Sequence, residues 1–259
     1  MRNTGQTLMT ASFFAFPATR LPELRLLLPR VPMGIVITGL FGIGGYLSRG
    51  VSKRGAFAGW LLALLLYVAA GPPAFITLLG VFILTWIATR IGYVRKAAMG
   101  LAENRKGRGA RQVLANIGAA AGFALAGIYI PVLQIASAAA LAEAAADTAS
   151  SECGEALARR AYLITNLRRV DVGVDGGISL PGTLAGALAA FLIAALAAAA
   201  GWIPHRHILV IAAAGFLGTI FDSFLGATIE RRGLINNNGV NFTSTVAAAI
   251  IALLIFKTS

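Results

Sequence analysis

Apolar residues run through this chain in long unbroken stretches, and the polar residues that interrupt them gather in a few places. The stretches cover residues 31–48, 55–71, 73–91, 112–130, 131–148, 181–201, 207–226 and 240–256. Each is near the roughly 20 residues that a helix needs to cross a bilayer. The pattern predicts an all-α polytopic membrane protein with about eight transmembrane helices. Seven is the alternative, because the first stretch holds five glycines and its continuity rests on the tolerance of membrane helices for glycine. Pro72-Pro73 and Pro131 part adjacent stretches with almost no chain between them, which predicts tight helical hairpins. Residues 1–30 read as an interfacial or flexible tail, ahead of one membrane-embedded catalytic domain at 31–259.

Composition sharpens this. The chain is 58% hydrophobic and 12% charged, whereas a soluble domain carries about 25% charged residues. A net charge of +12 without an aromatic-plus-basic platform argues against nucleic acid. The single cysteine, Cys153, excludes an internal disulfide and a cysteine-based metal cluster. His205 and His207 flank one short loop and offer no histidine-rich metal site.

The basic residues set the orientation. With eight spans, the loops near 49–54, 90–111, 149–180 and 227–239 share one side and hold 16 Lys and Arg, against six on the other. Without the first crossing the division becomes 20 to 2. Excess Lys and Arg mark the cytoplasmic side, so either count turns the polar loops to the cytosol, the expected membrane being a bacterial inner membrane.

Six of the ten acids fall between Leu141 and Thr183, so candidate chemistry concentrates there. At 100° per residue, Glu143, Asp147, Ser151 and Gly154 share one helix face. Glu152 lies about 140° from Asp147 and serves another surface. Acids within a membrane are costly and functional by default. A second stripe, Gly215, Gly218, Asp222 and Gly226, has spacings of three, four and four. Small residues let membrane helices approach closely, so Asp147 and Asp222 converge if this helix packs on the one that begins at Pro131. Carboxylates beside Thr148 and Ser223 make a hard oxygen site suited to Mg²⁺, with Glu143 a third candidate ligand.

Two loops point to phosphate. VGVDGGISLPGT at 172–183 has four glycines before a helix start, where free N–H groups attract anions. It does not match the pattern GxxxxGK[ST], and an ordinary turn-rich connection is the competing reading. The loop at 90–111 holds seven basic residues and one acid. Cationic clamps are what phosphoryl transfer asks of a protein, while topology alone also explains such charge. Topology does not explain Gln112 and Asn116, one turn apart at a span entry, and the pair Arg168-Arg169 adds cations beside the glycine loop. Asn236, Asn237, Asn238 and Asn241 form an amide cluster that either binds a base or sugar or caps a helix.

The runs TRIGYVRKAAMGLAENRKGRGARQVLAN, AADTASSECG, LITNLRRVDVGVDGGISLPGT, DSFLGATIE and NNNGVN together resemble the phytyl-phosphate kinase family, which includes transmembrane protein 19. The resemblance covers roughly residues 35–256 with the motifs in order. It implies phosphoryl transfer, with CTP as donor and Mg²⁺ as cofactor, to an isoprenyl monophosphate such as phytyl or geranylgeranyl phosphate. Among the matching positions it implies catalytic roles for Lys106, Arg108, Arg111, Asp147, Glu152, Asp175 and Asp222. Binding roles fall to Gln112, Asn116, Ser151, Gly176, Gly177, Ser179, Asn238 and Asn241. The chain departs from the family pattern at Ala149 and Glu230. The alternative function is a cation- or proton-coupled transporter or a lipid-translocating protein, with the acids as ion sites. Acids crowded at one membrane face favour the kinase, since alternating access places its site near the midplane.

Overall fold

The structure is a computed structural model that describes residues 27–104 and 106–258. Helices α1 (Arg30–Leu47), α2 (Lys53–Ala70) and α3 (Pro72–Arg90) are followed by a short α4 (Tyr93–Ala98), then α5 (Ala110–Ala126) and α6 (Leu133–Leu157). Three small strands come next, β1 (Ala161–Leu163), β2 (Arg169–Val170) and β3 (Gly177–Ile178). Helix α7 (Leu180–Ala199), a 3₁₀ turn at His205–His207, α8 (Ile208–Leu225), a π-helical turn at Gly226–Glu230 and α9 (Asn237–Thr258) complete the order. The tail expected at residues 1–30 lies outside the described residues up to residue 26.

Eight long helices follow the eight apolar stretches. Six of them are long and apolar enough to cross a membrane: α1, α2, α3, α7, α8 with its flanking turns, and α9. The other two are α5, with 17 residues, and α6, which carries Glu143, Asp147, Glu152 and Glu155. The five glycines of α1 do not break it; instead they let α2 pass close by. A Cβ at Gly34 would stand 2.9 Å from the Tyr67 ring, and one at Gly42 3.3 Å from Trp60 Cβ. Gly71, at φ +83°, joins α2 to α3, and Pro72 and Pro73 open α3, where missing N–H groups cost nothing. The connection at Pro131 is looser, since residues 127–132 separate α5 from α6.

Helix α6 is the axis of the bundle and packs against α3, α5, α7, α8 and α9. From Ile135 to Ala149 every residue except Asp147 is buried. Its alanines make this possible, because small side chains let helices close in from several sides. The polar stretch after residue 148 continues the helix to Leu157 rather than ending it. Cys153 is consequently buried within α6. Helix α8 approaches α6 through its glycine stripe: a Cβ at Gly215 would lie 2.9 Å from Ala142 Cβ, and one at Gly218 2.6 Å from Glu143 Cγ.

The strands form an antiparallel sheet of order β2-β1-β3, with Ala161 opposite Val170 and Tyr162 opposite Ile178. The chain is mostly helical as expected, and these strand residues are the departure from it. Strands of two or three residues are too short to leave a period in the sequence. The four charged loops meet at one end of the bundle. Val51 bridges Arg108, Gly92 abuts Ala156, and Gly176 is pressed onto Ala227 at φ +72°.

Candidate active site

Asp147 on α6 and Asp222 on α8 stand within hydrogen-bonding reach of each other, as the paired stripes imply. Ser244 of α9 donates to Asp222 Oδ2 at 2.9 Å and lies within reach of Glu143. Glu143 is 1% exposed, and its Oε1 has no hydrogen-bond partner among the described residues. A buried carboxylate oxygen without a donor is costly. Three carboxylates therefore meet with no ion pair to any of them among the described residues. The arrangement calls for positive charge, and hard oxygen donors suit Mg²⁺. Among the described residues, however, no group of three or more His, Cys, Asp or Glu is arranged to hold a metal ion. An ion seated here would complete its shell with water and ligand oxygens, as Mg²⁺ does.

Arg108 is the cation nearest this cluster. Its Nη1 donates to Thr148 Oγ1 at 3.4 Å, its Nη2 to Thr89 Oγ1 at 3.5 Å, and its Nε lies 3.8 Å from Glu103 Oε2. These are long contacts, so the guanidinium retains donors for a ligand. Its backbone is fixed instead: Arg108 N donates to Gly50 O at 3.1 Å, and Ser52 N donates to Arg108 O at 3.0 Å.

Two cavities open at this end. The polar one, about 400 Å³ in volume, is lined by Glu103, Asp147, Glu152, Glu155, Asp175, Asp222 and Glu230, with Arg108 its one cationic lining residue among the described residues. The other, about 390 Å³, runs between α1, α2, α3 and α5 and is largely apolar. The two share Glu103, Asn104, Arg108, Gln112 and Asn116 as a common wall.

Of the residues singled out from sequence, Ser151, Gly176, Gly177, Ser179 and Asn241 also face the polar cavity. Ser179 caps α7 by accepting from Gly182 N at 3.3 Å. Gly177 N donates to Val174 O at 2.8 Å, so the loop presents fewer free N–H groups than its glycines promise. Gly176 allows contact with Ala227 instead, where a Cβ has no room. Asn241 Nδ2 donates to Asn116 Oδ1 at 2.9 Å, which leaves Asn241 Oδ1 buried without a partner among the described residues. Asn236 takes the capping role, accepting from Gly239 N at 3.1 Å. Glu152, expected on another surface, lines the same polar cavity as Asp147, while its side chain pairs with Lys96, which is 0% exposed. Lys106, Arg111, Arg168, Arg169 and Asn238 line neither cavity, and the four cations are exposed.

Sequence reasoning missed Lys96, Glu103 and Ser244. Their partners lie 56, 9 and 22 residues away, and no helical period registers such contacts. Arg49, counted only as topological charge, and Arg90, counted within the basic 90–111 loop but not singled out, line the apolar cavity.

A helical bundle wrapped around an acid-bearing axis, with a carboxylate-rich chamber at one end, defines an integral membrane protein with a polar reaction or binding site. The chain belongs to the family described as Integral membrane protein DUF92, which it matches over residues 36–249. This span contains the motifs on which the family resemblance rests. The chain is 31% identical over 219 residues to Protein VTE6, chloroplastic, of Arabidopsis thaliana, covering 80% of this chain and 66% of that protein. It is 33% identical over 215 residues to an uncharacterized membrane protein of Methanocaldococcus jannaschii, covering 82% and 88%. A similar protein of Synechocystis is 33% identical over 201 residues, covering 75% and 78%. No solved structure matches the chain.

Proposed function

We propose that this protein is a membrane kinase that transfers the γ-phosphoryl group of CTP to an isoprenyl monophosphate at the cytosolic face. The observation that carries the reading is the common wall: Arg108 stands between a carboxylate-rich cavity and an apolar one. A reaction between a water-soluble donor and a lipid acceptor needs such a pair of compartments. All eight long helices cross the membrane in this reading, which brings the four basic loops to the cytosol.

An oxygen of the acceptor monophosphate attacks the γ-phosphorus. The bond from that phosphorus to the β–γ bridging oxygen breaks, and its electron pair leaves with CDP. The acceptor is already ionised, so no general base is required. What the protein supplies is position and charge. Arg108 neutralises the transferring group from the shared wall. The Asn116–Asn241 pair and Gln112 orient polar atoms of the substrates along that wall. Asp147 and Asp222 would hold Mg²⁺, which when bound screens phosphate oxygens from the surrounding acids. Glu143 Oε1, without a hydrogen-bond partner among the described residues, lies one helical turn beneath Asp147.

The test is direct. Protein in lipid nanodiscs, given Mg²⁺ and γ-labelled CTP, is expected to label prenyl diphosphate from phytyl or geranylgeranyl phosphate, with the free alcohols poor acceptors. A full panel of prenyl phosphates and all four nucleoside triphosphates yielding no diphosphate overturns the reading. Ion or lipid flux across liposomes in that case assigns the chamber to transport.

A further inference from the structure

The two cavities differ in charge as sharply as in polarity. Among the described residues the apolar cavity counts Arg49, Arg90 and Arg108 in its lining and Glu103 as its one acid. The polar cavity has seven acids and one arginine among the described residues. An anionic headgroup is therefore drawn to the apolar cavity's mouth and repelled from the acids until they are screened.

That mouth is built. The Arg90 guanidinium lies 3.5 Å from the centroid of the Trp86 ring. Its Nη2 donates to Ser48 O at 2.9 Å and its Nη1 to Trp86 O at 3.2 Å. Arg49 sits at φ +57°, a left-handed conformation uncommon for residues other than glycine. Below, the lining passes through Phe82, Val81 and Leu78. From Thr89 beside Arg108 to Leu78, the cavity follows α3 for about 17 Å at 1.5 Å per residue.

One glycine of this lining stands apart. Cβ atoms at Gly42 and Gly45 would press within 3.3 and 3.2 Å of packed neighbours. A Cβ at Gly59 would meet only Val113 Cγ1, at 3.8 Å, so a larger side chain there enters the cavity. Gly59 is one turn beyond Gly55, which abuts the Arg108 carbonyl, and so about 6 Å below the headgroup position.

We infer that the cavity between α1, α2 and α3 holds the hydrocarbon chain of a single-chain lipid phosphate, with Arg49 and Arg90 joining Arg108 on the phosphate and Gly59 setting the chain length admitted. The inference rests on the kinase reading for its acceptor, while the binding site itself does not depend on turnover.

The probe is a twenty-carbon prenyl monophosphate with a diazirine at its far end, added to wild-type protein in nanodiscs. Crosslinks are expected at Leu78 or Val81, lost on competition with unlabelled prenyl phosphate but not with the free alcohol. In Gly59→Phe, crosslinking and turnover of the twenty-carbon chain should fall about tenfold or more, because several methylenes lose their burial. A five-carbon prenyl phosphate should stay within threefold of wild type. Gly122→Leu makes a comparable change at an exposed glycine of α5 with open space around it, and should leave both unchanged. Crosslinks confined to outward-facing residues, or an unaltered chain-length profile in Gly59→Phe, overturn the inference even if diphosphate forms. Crosslinks at Leu78 or Val81 without any diphosphate sustain the lipid site and sink the kinase.

Discussion

Glu143 is buried, and its Oε1 meets no hydrogen-bond partner among the described residues. Asp147 and Asp222 face each other above it, and the donor that Asp222 receives comes from Ser244, a neutral hydroxyl. Asp147→Asn and Asp222→Asn each remove one of these repelling charges. Both variants should fold with unfolding temperatures at or above wild type, yet lose phosphoryl transfer by about 10³-fold, the order attached to one electrostatic element of a reaction site. Mg²⁺ should raise the unfolding temperature of the wild type and not of Asp222→Asn, since only a state that binds the ion is stabilised by it. Calorimetry and a turnover assay check both, and a fully active variant removes that residue from the chemistry. The facing pair was legible because a 100° period and a glycine stripe are local properties. Ser244 was not, since its contact depends on where α9 comes to rest.

At the scale of elements, α4 illustrates what period reading cannot reach. Six residues at Tyr93–Ala98 carry too little pattern to register as a helix, yet they anchor the basic loop to α6. Lys96 Nζ donates to Thr89 O at 3.0 Å and to Glu152, and Arg95 Nη1 to Ala156 O at 2.9 Å. Breaking a buried pair leaves one uncompensated charge, so Lys96→Met should cost about 3–5 kcal/mol. The double variant Lys96→Met with Glu152→Met should recover most of that loss, as read by thermal unfolding. It also separates two roles for Glu152. A folded, inactive double variant makes it part of the reaction, and a folded, active one makes it a strut. Helix α6 outlasts the apolar stretch that ends at residue 148: Ser150 to Glu155 are as polar as a loop, yet they stay helical, as the face shared by Asp147, Ser151 and Gly154 requires.

For the whole molecule, the order of helices and the gathering of four loops at one end were legible, because span length and charge bias are global properties. The sheet was not, and six helices rather than eight meet the demands of a membrane crossing by length and composition alone. Orientation is testable with single cysteines in a Cys153→Ser background, since Cys153 itself is buried. A cysteine at Ala102 should label with an impermeant thiol reagent only in inside-out vesicles, and one at Gly201 only in intact cells. The reverse pattern overturns the cytosolic placement.

The backbone of Arg108 is tied on both sides to the turn between α1 and α2. The backbone of this cation is thus held by a hairpin at the rim, while Asp147 sits on the buried axis. A hairpin at the rim adjusts its tilt when the hydrocarbon layer thickens or thins, at a cost of fractions of a kcal/mol per Å, and an axis enclosed by five neighbours does not. The expected consequence is a separation between arginine and carboxylates that follows the thickness of the surrounding bilayer. Under the proposed function, the membrane's lipid composition becomes a tuning parameter of the candidate site.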